Sequence, residues 1–237
     1  MHQNVRIGAI LALALLLSAC PAPRKPAPPP EAQPAPAEEP VQPQAGAVEH
    51  RVVADESQVK ILVYRGGKLS SAGHNHVVSS HNLSGKVWVH EDVSRSGLQI
   101  VMPVALLEVD DPQMRSEEGA DFASEVPETA RQGTRKNMLG PQLLDADRHP
   151  GITLTALAIT GTREQMQVRT RVRIKDQTRE ITIPVSARHS PGRVEAQGEF
   201  ALAQTDLGLT PYTVMLGALA VQDELKVKFR IVAVKGD

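Results

Sequence analysis

A period-two alternation of apolar and charged side chains runs through much of the second half of this chain. From Met166 to Lys175, the even positions carry apolar residues or threonine, and most odd positions carry arginine or lysine. Successive side chains of a β-strand point to opposite faces, so such a strand has one apolar face and one cationic face. The segment 225–231 repeats this pattern, and the segments 181–185 and 194–202 show it more weakly. The alternation therefore predicts a sheet with one dry side and one solvated side.

Further strands are predicted between turn-forming residues in the rest of the globular part. Pro184 cannot donate a backbone hydrogen bond, so its strand is expected at an edge or at a bulge. A helical insertion is predicted between about 111 and 140, with Pro127 in its first turn and Gly140 at its end. Many short strands with little helix predict an all-β fold, an antiparallel sheet curled into a barrel or sandwich. The additional predicted strands are 51–54, 58–65, 84–90, 97–107 and 152–160.

The first twenty residues carry the pattern of a bacterial lipoprotein signal. Arg6 gives a positive start, residues 7–17 form an apolar run too short to span a bilayer, and Leu17–Cys20 places small residues before a cysteine. This predicts a signal peptide over 1–19 and acylation of Cys20, which would anchor a periplasmic protein to the cell envelope, at its outer membrane. An ordinary secretory signal is the alternative. Cys20 is the single cysteine of the chain, so the folded part has no disulfide or thiolate site.

Residues 20–49 form a proline-rich segment, with ten prolines between 21 and 43. Such a composition cannot bury a core, and it is typical of a semi-rigid tether that could reach ~90 Å at ~3.1 Å per residue. A ligand for a proline-recognition domain is the alternative interpretation. The remaining residues, 50–237, are predicted to form one domain.

Charge and motif content argue against two classes of function. The chain has 26 basic and 27 acidic residues of dispersed sign, and only 3% of its residues are aromatic, so no nucleic-acid partner is predicted. The sequence lacks a Gly-x-Ser-x-Gly elbow, a phosphate-binding glycine loop and a His-Glu-x-x-His helix, so no enzyme and no catalytic residue is predicted. The carboxylates of Asp110-Asp111, Glu117-Glu118 and Asp145 to Asp147 are predicted in solvated loops. A hydrolase that joins His74 to a distant serine and aspartate is a further alternative.

Five short motifs follow one another along the globular part. They are Val53–Val59, Gly73–Val77, Thr134–Leu139, Leu144–Ile152 and Leu207–Val221. In this order they resemble the YceI-like family of lipid- and polyisoprenoid-binding proteins, over essentially all of residues 50–235. The resemblance implies an extended, eight-stranded, antiparallel barrel similar to a lipocalin. It also implies a periplasmic carrier, rather than an enzyme, whose apolar cavity takes a long-chain amphiphilic lipid of polyisoprenoid or fatty-acyl type.

A lipid carrier needs a lumen lined by apolar side chains, and the inward faces of the predicted strands supply one if the barrel stays hollow. The alternative is that these side chains interdigitate into a packed core, as in most small barrels. The resemblance favours the hollow barrel. The candidate lining residues are Val59, Ile61, Val63, Ile100, Met102, Val168, Val172, Ile174, Ile181, Ile183, Phe200, Leu225, Val227 and Phe229.

A histidine cluster allows three interpretations. His74 and His76 share one face if the chain is extended there, and Asn75 and His81 are close in sequence. The cluster could be a polar turn at the barrel mouth, or a ligand-headgroup contact made by His74, Asn75 and His76. It could also be a zinc or copper site that uses His74, His76 and His81, which is the alternative function retained. Under the first two interpretations no metal or other cofactor is predicted, and the lipid is the ligand.

The nearly uncharged segment 210–221 has two interpretations. It could be a mobile flap over the cavity or a buried connection between two strands. Because the next strand is predicted to begin at Gln222, the buried connection is expected.

Overall fold

Residues 43–236, the part of the chain that this computed structural model describes, contain twelve strands, two α-helices and seven short 3₁₀ helices. The strands are β1 (Val48–Val52), β2 (Gln58–Gly66), β3 (His76–Ser80), β4 (Ser84–Val89), β5 (Gly97–Pro103), β6 (Glu108–Val109), β7 (Gly151–Thr162), β8 (Gln165–Ile174), β9 (Gln177–Ser190), β10 (Arg193–Ala203), β11 (Thr213–Val214) and β12 (Leu219–Lys235). The α-helices are α1 (Pro112–Ser116) and α2 (Glu128–Leu139). Within this described part, no helix is long and apolar enough to cross a membrane.

Several predictions for the amino-terminal part lie outside the described residues. These are the signal peptide over 1–19, the acylated Cys20 and the tether as far as residue 42. Strand β1 begins at Val48, two residues before the predicted boundary between tether and domain.

Eight of the strands close into an antiparallel barrel. Their order is β1-β4-β5-β7-β8-β9-β10-β12, and β12 pairs with β1 to complete the ring. The long β12 pairs with β1 near its carboxyl end and with β2 along its first two-thirds, and β3 and β6 follow β2. The predicted all-β fold, an extended eight-stranded lipocalin-like barrel with a helical insertion between 111 and 140, is confirmed.

The period-two alternation sets which side of the barrel wall each side chain occupies. On β8, Val168, Thr170 and Val172 are buried on the inner face, whereas Arg169 and Arg171 are exposed on the outer face. Burying the apolar face while leaving the guanidinium groups in water is the arrangement that the hydrophobic effect favours.

Pro184 lies where the pairing between β9 and β10 ends. Strand β9 pairs with β10 only over its last five residues, 186–190, whereas its pairing with β8 extends over 177–185. At the end of the β9–β10 pairing, a Cβ built on Gly198 would lie 2.3 Å from the carbonyl oxygen of Pro184, so the two backbones are in close contact. An edge or a bulge was expected for the proline strand, and the structure shows a local break in the pairing of a closed barrel wall.

Strand β3 was not predicted because its sequence lacks alternation. Its neighbouring residues Val77 and Val78 are both buried, on opposite faces of the strand. Val78 packs in the barrel core, and Val77 packs outside the barrel against Met114 of α1 and Phe122. A strand covered on both faces carries consecutive apolar residues, so a period of two is not visible there.

Candidate ligand cavity

A cavity of about 540 Å³ runs inside the barrel and is lined mainly by aliphatic side chains. Its volume lies within the range of roughly 300–1,000 Å³ that is typical of small-molecule sites. The inner side chains therefore leave an open space and do not interdigitate into a filled core. The structure places all fourteen predicted lining residues along this cavity.

Sequence reasoning missed the apolar residues that cover the cavity from loops and from helix α2. Met138 lies at the end of α2, and Leu207 and Leu209 flank Gly208, whose φ of 74° turns the chain sharply. In the sequence, the only indication of these residues is isolated leucines beside turn residues, and such leucines show no strand periodicity. The residues of this group that line the cavity are Leu107, Met138, Leu143, Leu144, Leu207 and Leu209.

His76 and Asp110 form a hydrogen-bonded pair at one end of the cavity. The Nδ1 atom of His76 lies 2.6 Å from Oδ2 of Asp110, a carboxylate whose side chain is fully buried. Because a carboxylate only accepts, Nδ1 carries the proton, and in the neutral ring Nε2 is left as an acceptor. Nε2 lies 3.5 Å from Oγ1 of Thr134, and both His76 and Thr134 line the cavity.

Arg115 holds the other oxygen of Asp110. Its Nη1 atom donates to Oδ1 at 2.5 Å, and the backbone N–H of Val77 donates to the same oxygen at 2.9 Å. The buried Arg115 guanidinium also donates to the carbonyl oxygens of Asn75, Phe122 and Ser124. These contacts tie helix α1 and the following loop to the start of β3.

The surroundings of Asp110 keep it ionised. Burial by itself would raise the pKa of this carboxyl, but the hydrogen bonds from His76 and Val77 and the nearby Arg115 outweigh burial and hold the pKa below its ordinary value. Glu118 is similar, since burial is outweighed by Lys228 and Lys60 and its pKa is lowered. The prediction that these two carboxylates lie in solvated loops was wrong, because each side chain is almost fully buried against cations.

The structure separates the three residues of the predicted headgroup contact. His74 lines the cavity, and its ring centroid lies 6.3 Å from that of His76. Asn75 does not line the cavity. Its Oδ1 accepts from the backbone N–H of Arg65 at 3.0 Å, and its Nδ2 donates to the carbonyl of Asp121 at 2.9 Å. Asn75 therefore fixes the loop before β3, and His74 and His76 remain as the candidates.

The alternative metal site is not assembled in the structure. His81 follows the far end of β3 from His76, and its Nδ1 lies 2.9 Å from the carbonyl oxygen of Ser57. The Nδ1 atom of His76 is already bonded to Asp110, and between residues 43 and 236 no group of three or more His, Cys, Asp or Glu side chains could hold a metal ion. The set of His74, His76 and His81 predicted for zinc or copper is thus split between two ends of a strand.

Comparison with known families decides the identity of the domain. The family model of the YceI-like domain matches residues 51–233. The chain belongs to the YceI-like family. Among curated proteins, none matches this chain significantly.

Two solved structures show the same fold as this YceI-like barrel. The BcnA protein of Burkholderia cenocepacia has a TM-score of 0.57 and 16% identity, and the match covers 77% of this chain and 99% of that one. A polyisoprenoid-binding domain of Saccharophagus degradans, implicated in plant cell wall breakdown, has a TM-score of 0.52 and 13% identity over 80% of this chain and 99% of that one.

The YceI-like barrel has a second group of polar residues at the other end of its cavity. There, Nη2 of Arg163 lies 3.4 Å from the carbonyl oxygens of His90 and Glu91, and Nδ1 of His90 accepts from the backbone N–H of Asp92. The ring of His189 packs edge-on against His50. Arg163 and His90 are thus engaged with the protein backbone, whereas the only contact of Nε2 of His76 within the described part of the chain is the 3.5 Å approach to Thr134. The end with His76 is therefore the better candidate for binding a polar headgroup.

Proposed function

We propose that this protein binds a long-chain amphiphile of polyisoprenoid or fatty-acyl type in its cavity, and sequesters or transports it. The observation that carries the proposal is the hollow, mainly aliphatic interior of the barrel. The structural likeness to a polyisoprenoid-binding domain supports this class of ligand. We further propose a binding protein and not an enzyme, held in the periplasm through an acylated Cys20, a location that rests on the sequence pattern alone.

Hydrocarbon burial is sufficient to drive such binding. Each buried methylene contributes about 0.8 kcal/mol, so ten of them contribute about 8 kcal/mol before the cost of association. That cost is at least about 4 kcal/mol, and a micromolar complex needs a net of about 8 kcal/mol. At the lower end of that cost, a chain of about fifteen carbons reaches micromolar affinity from its apolar part. A longer chain or a polyisoprenoid can offset a larger cost, and the headgroup contact adds to the affinity.

A chain-length series tests the proposal. Saturated fatty alcohols of increasing length and a polyprenol would be titrated calorimetrically into the full chain carrying Cys20→Ser, which removes the acylation site. We expect affinity to rise about threefold to fourfold per methylene until the cavity is full, with a negative heat-capacity change. Absence of binding at every length, or affinity that ignores length, would contradict the proposal. Stoichiometric zinc or copper on a lipid-free protein would favour the histidine alternative.

His76 is expected to contact the headgroup through Nε2. In a His76→Leu variant, affinity for a fatty alcohol should fall by up to about tenfold, the net contribution of about one hydrogen bond. Affinity for the alkane of equal length should change little, because an alkane has no donor for Nε2. His81→Leu serves as the control, since that ring lies at the far end of β3. An equal loss for alcohol and alkane would show that His76 acts only on the fold.

A further inference from the structure

The loop between β11 and β12 carries the most exposed large apolar side chains of the described residues. Met215 is 67% exposed, and Leu216 extends fully into solvent at 109%. The buried connection expected for residues 210–221 was therefore wrong at its tip, although the segment contains no charge that would have indicated exposure. Two exposed apolar side chains at the same tip need an explanation, because burying either of them against the barrel would stabilise the folded protein.

The backbone holds these side chains outward. Met215, Leu216 and Gly217 all have left-handed φ values, of 52°, 56° and 83°. Two consecutive non-glycine residues in this region are unfavourable, so the surrounding structure must fix the turn. It does so through Leu69, whose N–H donates to the carbonyl of Ala218 at 2.8 Å, and through Gly67, where a Cβ would lie 2.5 Å from the same oxygen.

The tip adjoins the cavity. Tyr212 and Val214 before it and Leu219 after it all line the cavity, and the neighbouring Leu69 is 43% exposed. The sixteen residues from 207 to 222 carry no charged side chain. On the facing segment, Arg65 and Lys68 are exposed. The cavity rim at this end therefore combines protruding apolar side chains with two cations.

We propose that this apolar tip, defined as Leu69, Met215 and Leu216, inserts into the surface of an anionic lipid bilayer. Apolar side chains that enter the headgroup region, with basic residues beside them, are the usual elements of peripheral membrane binding. A protein partner fits less well, because a stable interface buries about 800 Å² on each side, from some twenty residues or more. The predicted tether, with a reach of ~90 Å, would allow this end of the barrel to meet the membrane that anchors it.

The proposal extends the proposed function, since a cavity mouth held at a bilayer could take up or deliver an amphiphile without exposing it to water. Membrane insertion itself does not depend on what the cavity holds. The two ideas can therefore fail separately in one set of measurements.

Vesicle co-sedimentation tests the tip. The probe would be phosphatidylethanolamine vesicles containing phosphatidylglycerol, mixed with the full chain carrying Cys20→Ser, so that no acyl anchor contributes. We expect Met215→Ser combined with Leu216→Ser to weaken binding at least tenfold, and Lys68→Ser to weaken it about fivefold in low salt. Val48→Ser is the matched control, because Val48 is also exposed but lies far from the tip. The residues that follow it in β1 pair with the carboxyl end of β12, whereas the tip precedes the amino end of β12.

Two results would overturn the proposal. One is a protein that does not bind the vesicles, or whose tip variant binds them as well as its parent does. The other is a concentration-dependent dimer, seen by light scattering, that the tip variant abolishes, because the tip would then be a self-association surface. Fatty-alcohol affinity should be the same in the tip variant and its parent. A parent that binds the vesicles but no fatty alcohol would contradict the proposed function and leave the membrane proposal standing.

Discussion

Replacing Val172 with tryptophan is expected to reduce the affinity for a long-chain amphiphile at least a hundredfold. Val172 is buried on β8, and its side chain faces the cavity. An indole at this position would occupy space that is empty in the native barrel, so it would exclude ligand atoms with less overpacking than in a filled core. The measurement is the calorimetric titration of a fatty alcohol, accompanied by circular dichroism to verify that the barrel is folded.

Two further variants make this result decisive. Arg171→Trp introduces the same side chain one residue earlier, on the solvated face, and should leave the affinity unchanged. Ile183→Trp enters the cavity from β9 and should repeat the effect of Val172→Trp, which guards against misfolding of a single variant. Undiminished affinity in both inward variants would place the ligand outside the barrel.

Replacing Asp110 with asparagine is expected to destabilise the protein by about 3–5 kcal/mol, the usual cost of removing one partner of a buried ion pair. The variant leaves the guanidinium of Arg115 buried without a counter-charge and weakens the contacts to His76 and Val77. Urea unfolding at neutral pH measures the loss. An unchanged free energy of unfolding would mean that this buried network contributes nothing to stability.

The same residue predicts a change in the acid sensitivity of the fold. The pKa of Asp110 is lowered in the folded state, so its contribution to stability is present above the ordinary aspartate pKa of about 3.9 and is lost as the pH falls below that value. Stability of the parent protein should therefore fall more steeply below about pH 4 than that of Asp110→Asn. Asp55→Asn, at an exposed position, is the control and should retain the parent slope. Parallel curves for the parent and Asp110→Asn would contradict the role assigned to this carboxylate.

The eight barrel strands and their inward-facing residues could be predicted because both depend on local sequence, whereas β3, which is covered on both faces, could not. The alternation in 166–175 and 225–231 indicates which face of each strand is apolar. A closed antiparallel barrel places those apolar faces inside. The existence of an open cavity could not be predicted in this way. The same apolar faces are compatible with a filled core, and whether a space remains depends on how side chains from opposite walls pack across the barrel.

The polar end of the cavity depends on contacts between residues distant in the chain. Asp110 reaches His76 across 34 positions, and Arg115 reaches the carbonyl of Asn75 across 40. In sequence, Asp110 is one of two adjacent acidic residues and looks like part of a solvated loop. Its burial follows from the packing of α1 against β3, which no local pattern shows.

The exposed tip at Met215 and Leu216 escaped prediction for a related reason. An uncharged apolar segment between two strands indicates burial by composition, since composition reports average preference. The outward orientation is instead set by three left-handed residues and by the hydrogen bond from Leu69. Local strain of this kind is visible only in the backbone geometry.

The most direct test of the account is to identify what the cavity contains when the protein is made in a bacterial envelope. The full chain and its Val172→Trp variant would be purified in parallel and extracted with organic solvent, and the extracts would be compared by lipid mass spectrometry. Our account predicts a stoichiometric polyisoprenoid or long-chain acyl lipid that is present with the parent and absent with the variant. A parent protein without such a lipid, or equal amounts of lipid from both proteins, would contradict it.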